Sequence, residues 1–202
     1  MKKGLLLLVF VFIGLGIYWF VIKKTVQVQG KQQEVLKATL HSAPFNASID
    51  SLLNGYFTLK SAFVEADSAQ VKLAAKKILL LANQLNLTEL KKDTAGIAET
   101  VGMQLNDIKA NAESLLNQNS LTEMRQDFRM VSESLYPLLK TIHYEGATLY
   151  WQNCPMAFGE DKEANWISNT AEIINPYMGK HHPEFKTAML HCGEVKDSIQ
   201  AQ

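Results

Sequence analysis

The sequence predicts a mainly α protein: an antiparallel four-helix bundle, followed by an irregular C-terminal tail with short strands and preceded by a transmembrane or signal helix. Three observations carry this. Apolar residues recur at three- and four-residue steps through four consecutive stretches, the mark of helices that bury one stripe. After Gly146 that periodicity stops, and the last segment holds both cysteines, two of the three tryptophans, Pro155, Pro176 and Pro183. Residues 4–22 run without a charge between Lys2-Lys3 and Lys23-Lys24.

The leader comes first. At about 1.5 Å per residue a helix over residues 4–22 nearly crosses a hydrocarbon core of ~30 Å. The apolar run exceeds the usual signal-peptide core and lacks a small-x-small cleavage site, so residues 1–24 read as an uncleaved anchor, with a cleaved export signal as the alternative. Lysine pairs on both sides leave the positive-inside rule undecided. The short N-terminal tail favours an inner-membrane anchor facing the periplasm, or a periplasmic protein if the leader is cleaved. Residues 25–45 are polar with Gly30 and Pro44 as breakers, which suits a spacer.

The bundle follows over residues 46–145. Ile49, Leu52, Leu53, Tyr56, Leu59 and Phe63 stripe a first helix that ends near Asp67. Asp67 or Ser68 then caps a second, striped by Val71, Ala74, Ile78, Leu81 and Leu85. Thr88-Glu89, Thr94 and Gly96 mark the break. Ile97, Val101, Leu105, Ile108, Ala112 and Leu115 define the third helix. Ser120 with Glu123 forms a capping box for the fourth, where Leu121, Met124, Phe128, Val131, Leu135, Leu138 and Ile142 continue past Pro137; the proline should bend this helix without ending it. In the tail, residues 146–202, short strands are expected around Leu149 to Asn153 and Trp166 to Ser168, with Trp151, Trp166 and Tyr177 packing it on the bundle.

Charge narrows the partners. The whole chain is neutral, but the four lysines of the leader leave 16 basic against 20 acidic residues elsewhere, a net charge of −4. No basic face is available to neutralise phosphates, so nucleic acid is not expected. No base, nucleophile and orienting group occur at a spacing that points to an active site, so the expected role is not enzymatic.

The candidate chemistry lies in the tail. Cys154 is followed by Met156, and Cys192 is preceded by Met189 and His191. Thiolate, thioether and imidazole are the donors that Cu(I) and other soft ions prefer. On an extended backbone Cys154 and Met156 share a face; Met189 pairs with Cys192 on a helical turn or with His191 on a strand. The same two cysteines, placed outside the cytosol, are first of all candidates for a disulfide, with buried free thiols as the third reading. Closing that loop would contribute roughly 4 kcal/mol in the chain-entropy description. His181 and His182 read as exposed loop residues, His143 as a helix-end residue and His41 as a spacer residue without a specific task. There is no Cys-x-x-Cys for thioredoxin-like exchange or structural zinc, and no haem attachment motif.

At these residues the chain resembles a bacterial domain family of undetermined biochemical function. Its members share a helical bundle followed by Cys-Pro-Met-Ala, a tryptophan, Asn-Pro-Tyr-x-Gly and a terminal Met-x-x-Cys-Gly. Here these stand as Cys154 to Ala157, Trp166, Asn175 to Gly179 and Met189 to Gly193. Related domains close the membrane-fusion adaptors of copper and silver efflux systems. The resemblance implies a periplasmic setting, Cu(I) or Ag(I) handling on Cys154, Met156, Met189 and Cys192, and an efflux-system or metal-chaperone partner. The chain departs from the pattern by carrying Lys180 to Ala188 between the last two motifs, which adds His181 and His182 near the second arm.

Overall fold

A computed structural model describes residues 40–93 and 96–201. The leader and most of the spacer, including the anchor expected at residues 1–24, lie outside the described residues. Among the described residues no helix is long and apolar enough to cross a membrane.

Four helices form from the four striped stretches: α1 Ala43–Val64, α2 Ser68–Gln84, α3 Ile97–Asn117 and α4 Leu121–Thr141. Helix α1 begins three residues before the expected bundle boundary. Ser42 accepts from the Phe45 N–H as N-cap, and Pro44 sits in the first turn, where its missing N–H leaves no hydrogen bond unmade; it starts this helix and does not break it. Asp67 caps α2 by accepting from the Gln70 N–H at 3.0 Å. Gly96, at φ 77°, opens α3 after a 3-10 turn at Thr88–Lys92. Ser120 and Glu123 close a reciprocal capping box on α4, and the helix runs through Pro137. Each helix packs on the next along the chain, with the predicted stripes as the shared core.

The tail is more regular than its sequence suggests. It forms a three-stranded antiparallel sheet, in the order β2-β1-β3, from β1 Leu149–Cys154, β2 Ala164–Ser168 and β3 Glu194–Ile199. The third strand was not expected. Its sequence, EVKDSI, is polar and largely exposed because it lies at the sheet edge, so it has no buried face to impose an alternating pattern.

The sheet docks on the bundle through α4 and β2, with aromatic rings between. Trp166 and Tyr177 are fully buried; Tyr177 packs against Phe128 with ring centroids 5.7 Å apart, and Trp151 stacks on Tyr136 at 4.4 Å. A hydrogen-bond relay fixes the dock. The Ile167 N–H donates to the Tyr56 hydroxyl at 3.0 Å, and Ser132 Oγ lies 2.7 Å from that hydroxyl. Ser132 spends its own proton on the Phe128 carbonyl, so Tyr56 donates to Ser132. All of these groups are buried.

His41 is not idle. Its side chain is buried; Nε2 donates to the Ile142 carbonyl at 2.6 Å and Nδ1 faces Glu89 at 3.3 Å, while its backbone N–H donates to Glu145. The residue that enters the bundle is thereby tied to the end of α4.

Two outcomes follow from this packing. Tyr56→Phe leaves the Ile167 N–H and the Ser132 hydroxyl without their partner, and should lower stability by about 2–3 kcal/mol in chemical denaturation. Lys60 is buried, donates to Ser168 Oγ at 3.1 Å, and is pushed down to about 8 by that burial. The folded chain then holds this proton less tightly than the unfolded one, so stability rises as pH goes from about 8 towards 10.5. Lys60→Met should remove that rise and increase stability near pH 7 by about 1–3 kcal/mol, measured by denaturation across the same pH range.

Candidate functional site

The two cysteines meet although 38 positions separate them: Cys154 Sγ and Cys192 Sγ are 3.4 Å apart, and both are free thiols. Cys154 is the last residue of β1, fully buried and paired in register with Ala164. Cys192 ends a helical turn in which the Leu190 N–H donates to Thr187 O and the Cys192 N–H to Met189 O. It is only partly covered, so solvent reaches the pair from its side.

Two residues bring the second arm to the first. Gly193 has φ +142°, and a Cβ there would stand 2.4 Å from the Asn153 carbonyl oxygen and 3.1 Å from the Trp166 ring. Only glycine permits that close backbone approach, which sets Glu194 opposite Asn153 and starts β3. Asn175, fully buried, holds the arm from the other side. Its Nδ2 donates to the Cys192 carbonyl at 2.7 Å and its N–H to the Leu190 carbonyl at 2.8 Å. Its Oδ1 in turn accepts from the Tyr177 and Met178 N–H groups. The sequence displays Asn175 inside Asn-Pro-Tyr-x-Gly, but its role as the clamp on Cys192 is invisible without the fold.

The expected donors divide around this pair. Met189 and Cys192 stand at the two ends of one turn, closed by the Cys192 N–H to Met189 carbonyl bond, and the absence of strand there excludes the alternative that would join Met189 to His191. His191 is exposed and its Nδ1 donates to the Ile173 carbonyl at 2.8 Å, which leaves Nε2 as its free lone pair. The extended arm expected over residues 150–156 ends at Cys154. The chain turns at Pro155-Met156, so Met156 does not share a strand face with the cysteine; its side chain lines a neighbouring cleft. His182 lines that cleft too, with Nδ1 accepting from the Glu184 and Phe185 N–H groups, and His181 lies beside Glu65. Among the described residues no group of three or more His, Cys, Asp and Glu side chains gathers as a metal site. The convergent unit is the dithiol.

Burial pushes the Cys192 thiol up to about 11, and the neighbouring Cys154 adds to the effect. The thiol therefore holds its proton at neutral pH and is a poor nucleophile until something displaces that proton. A metal ion does this, and so does oxidation. A tetrahedral ion with metal–sulfur bonds of about 2.3 Å separates its thiolates by roughly 3.8 Å. A disulfide needs about 2.05 Å. The observed 3.4 Å is the contact distance of two protonated thiols, from which either bridge can be reached by a small shift of the side chains.

No curated protein and no solved structure matches the chain. Residues 52–146 match the family described as a protein of unknown function (DUF3347). The matched segment takes in most of α1 and all of α2, α3 and α4, and it stops where the tail begins. The bundle is thus the part of this chain that is similar to that family, and the dithiol lies beyond the matched residues.

Proposed function

We propose that this chain is a membrane-tethered periplasmic module that captures Cu(I) or Ag(I) on Cys154 and Cys192 and passes it to an efflux-system or metal-chaperone partner, without catalysis. The single observation that carries the reading is the 3.4 Å separation of two sulfurs delivered by remote arms, one of them open to solvent. Met189, on the same turn as Cys192, is the further soft donor of this reading; Met156, which lines the neighbouring cleft, is not. The resemblance of the tail motifs to a family whose related domains close copper and silver efflux adaptors, and the apolar leader, support the setting.

A second reading rests on the same separation. With an oxidant to take up two electrons, the two thiols lose two protons and form a disulfide that staples the end of β1 to the turn before β3. The module is then a cell-envelope interaction domain without a metal. Intact mass before and after alkylation, on protein purified without reductant, separates the readings: quantitative oxidation that resists mild reductant favours the staple.

Reduced full-length protein titrated with Cu(I), in competition with a chelator of known affinity, should take up one ion per chain. The Cys154→Ser, Cys192→Ser double variant should lose about 100-fold or more in affinity. Equal binding by both proteins excludes the proposal. Because Cys192 is protonated throughout pH 6–9 and must release that proton on binding, the apparent affinity should fall about tenfold or more for each unit the pH is lowered. Asn175→Ala frees the Cys192 arm, and should cost about 2 kcal/mol of stability and speed alkylation of Cys192 by iodoacetamide, read by peptide mass.

A further inference from the structure

Beside the sheet, the start of α4 and the turns that follow β1 and Tyr177 enclose a cleft of about 440 Å³, a size that suits a small ligand. Its walls are apolar where Met156, Phe158, Met178 and Phe185 face it. Arg125 is its one buried charged residue, more than nine-tenths covered, while Glu160 and Glu184 line it from exposed positions. Its Nε donates to the Pro176 carbonyl at 3.3 Å. Among the described residues neither of its terminal nitrogens has an acceptor, and no carboxylate forms an ion pair with it.

A guanidinium largely withdrawn from bulk water without a counter-charge carries a desolvation cost that one neutral hydrogen bond offsets only in part, while its terminal nitrogens are not fully buried and open onto the solvent of the cleft. Burial accordingly holds Arg125 below the usual arginine range. The open valence is two N–H-bearing nitrogens in a planar fork, which matches a carboxylate in bidentate geometry. Thr122 and Gln126, both exposed at the rim, add neutral polar groups. Glu160 and Glu184 are also exposed on the rim, so they repel anions at the entrance and leave Arg125 as the buried anchor. The same positive charge disfavours a cation between Met156 and His182, which separates this cleft from the dithiol by electrostatics.

We infer that the cleft binds a small amphipathic monocarboxylate, with its carboxylate on Arg125 and its aryl or alkyl part against Met156, Phe158 and Phe185. The site is independent of the thiol chemistry proposed above.

The test uses the full-length protein and 4-fluorophenylacetate, followed by fluorine NMR, with 4-fluorophenylacetamide as the uncharged isostere. The acid should bind at millimolar or tighter affinity and about fivefold or more tighter than the amide. Arg125→Gln should weaken it by about tenfold, and Gln126→Glu, at an exposed position outside the core, should weaken it several-fold by placing a like charge at the rim. Should Arg125→Gln fail to fold, Gln126→Glu decides. The Cys154→Ser, Cys192→Ser variant should bind the acid unchanged, so failure of the metal proposal leaves this one standing. No binding at about 10 mM acid, equal binding of the amide, or unchanged affinity in a folded Arg125→Gln or in Gln126→Glu would overturn the inference.

Discussion

The Tyr56 hydroxyl is the constraint on which the rest of the molecule depends. It accepts from the Ile167 N–H of β2 and donates to Ser132 of α4, so one buried oxygen joins the first helix, the last helix and the sheet. Around it Phe63, Phe128, Tyr177 and Trp166 form a continuous aromatic seam. The apolar seam gives non-directional stabilisation, and the relay supplies direction: a buried polar chain is satisfied in one arrangement and costly in others. Sheet position relative to the bundle is therefore fixed before the thiols enter the account.

From that fixed sheet, two local devices carry the second cysteine to the first. Gly193 lets the backbone pass against the Asn153 carbonyl, and Asn175 holds the Cys192 and Leu190 carbonyls while capping the turn at Tyr177. Both act on backbone, so neither requires a bond between the sulfurs. The pair is held at 3.4 Å as thiols. Burial raises the proton affinity of the Cys192 thiol, which keeps it a weak nucleophile at neutral pH.

Pro155 and Met156 divide the tail into two chemically distinct regions. On one side lie the sulfurs of Cys154 and Cys192, with Met189 close along the chain. On the other, Met156 lines a cleft whose buried charge is positive. The methionine that sequence proximity would assign to the thiols thus stands where apolar contact and a guanidinium set the environment. His182 is drawn to the same side, its Nδ1 occupied by the N–H groups of its own turn.

The four helices were legible because each buries one stripe against the next, and a period of 3.6 residues is written into a local window; their caps at Asp67, Gly96 and Ser120 are equally local. The residue types near Cys154 and Cys192 are likewise local, but which of them come together is not. Strand β3 was not, since an exposed edge strand places no demand on its side chains, and neither were the tasks of His41, Asn175 and Arg125, whose partners lie far along the chain. What the sequence determined by itself was the helical framework and the kinds of donor atoms. Which donors meet was decided only by tertiary structure, because the turn after Cys154, the absent Cβ of Gly193 and the reach of one asparagine act between segments whose closeness no local pattern records.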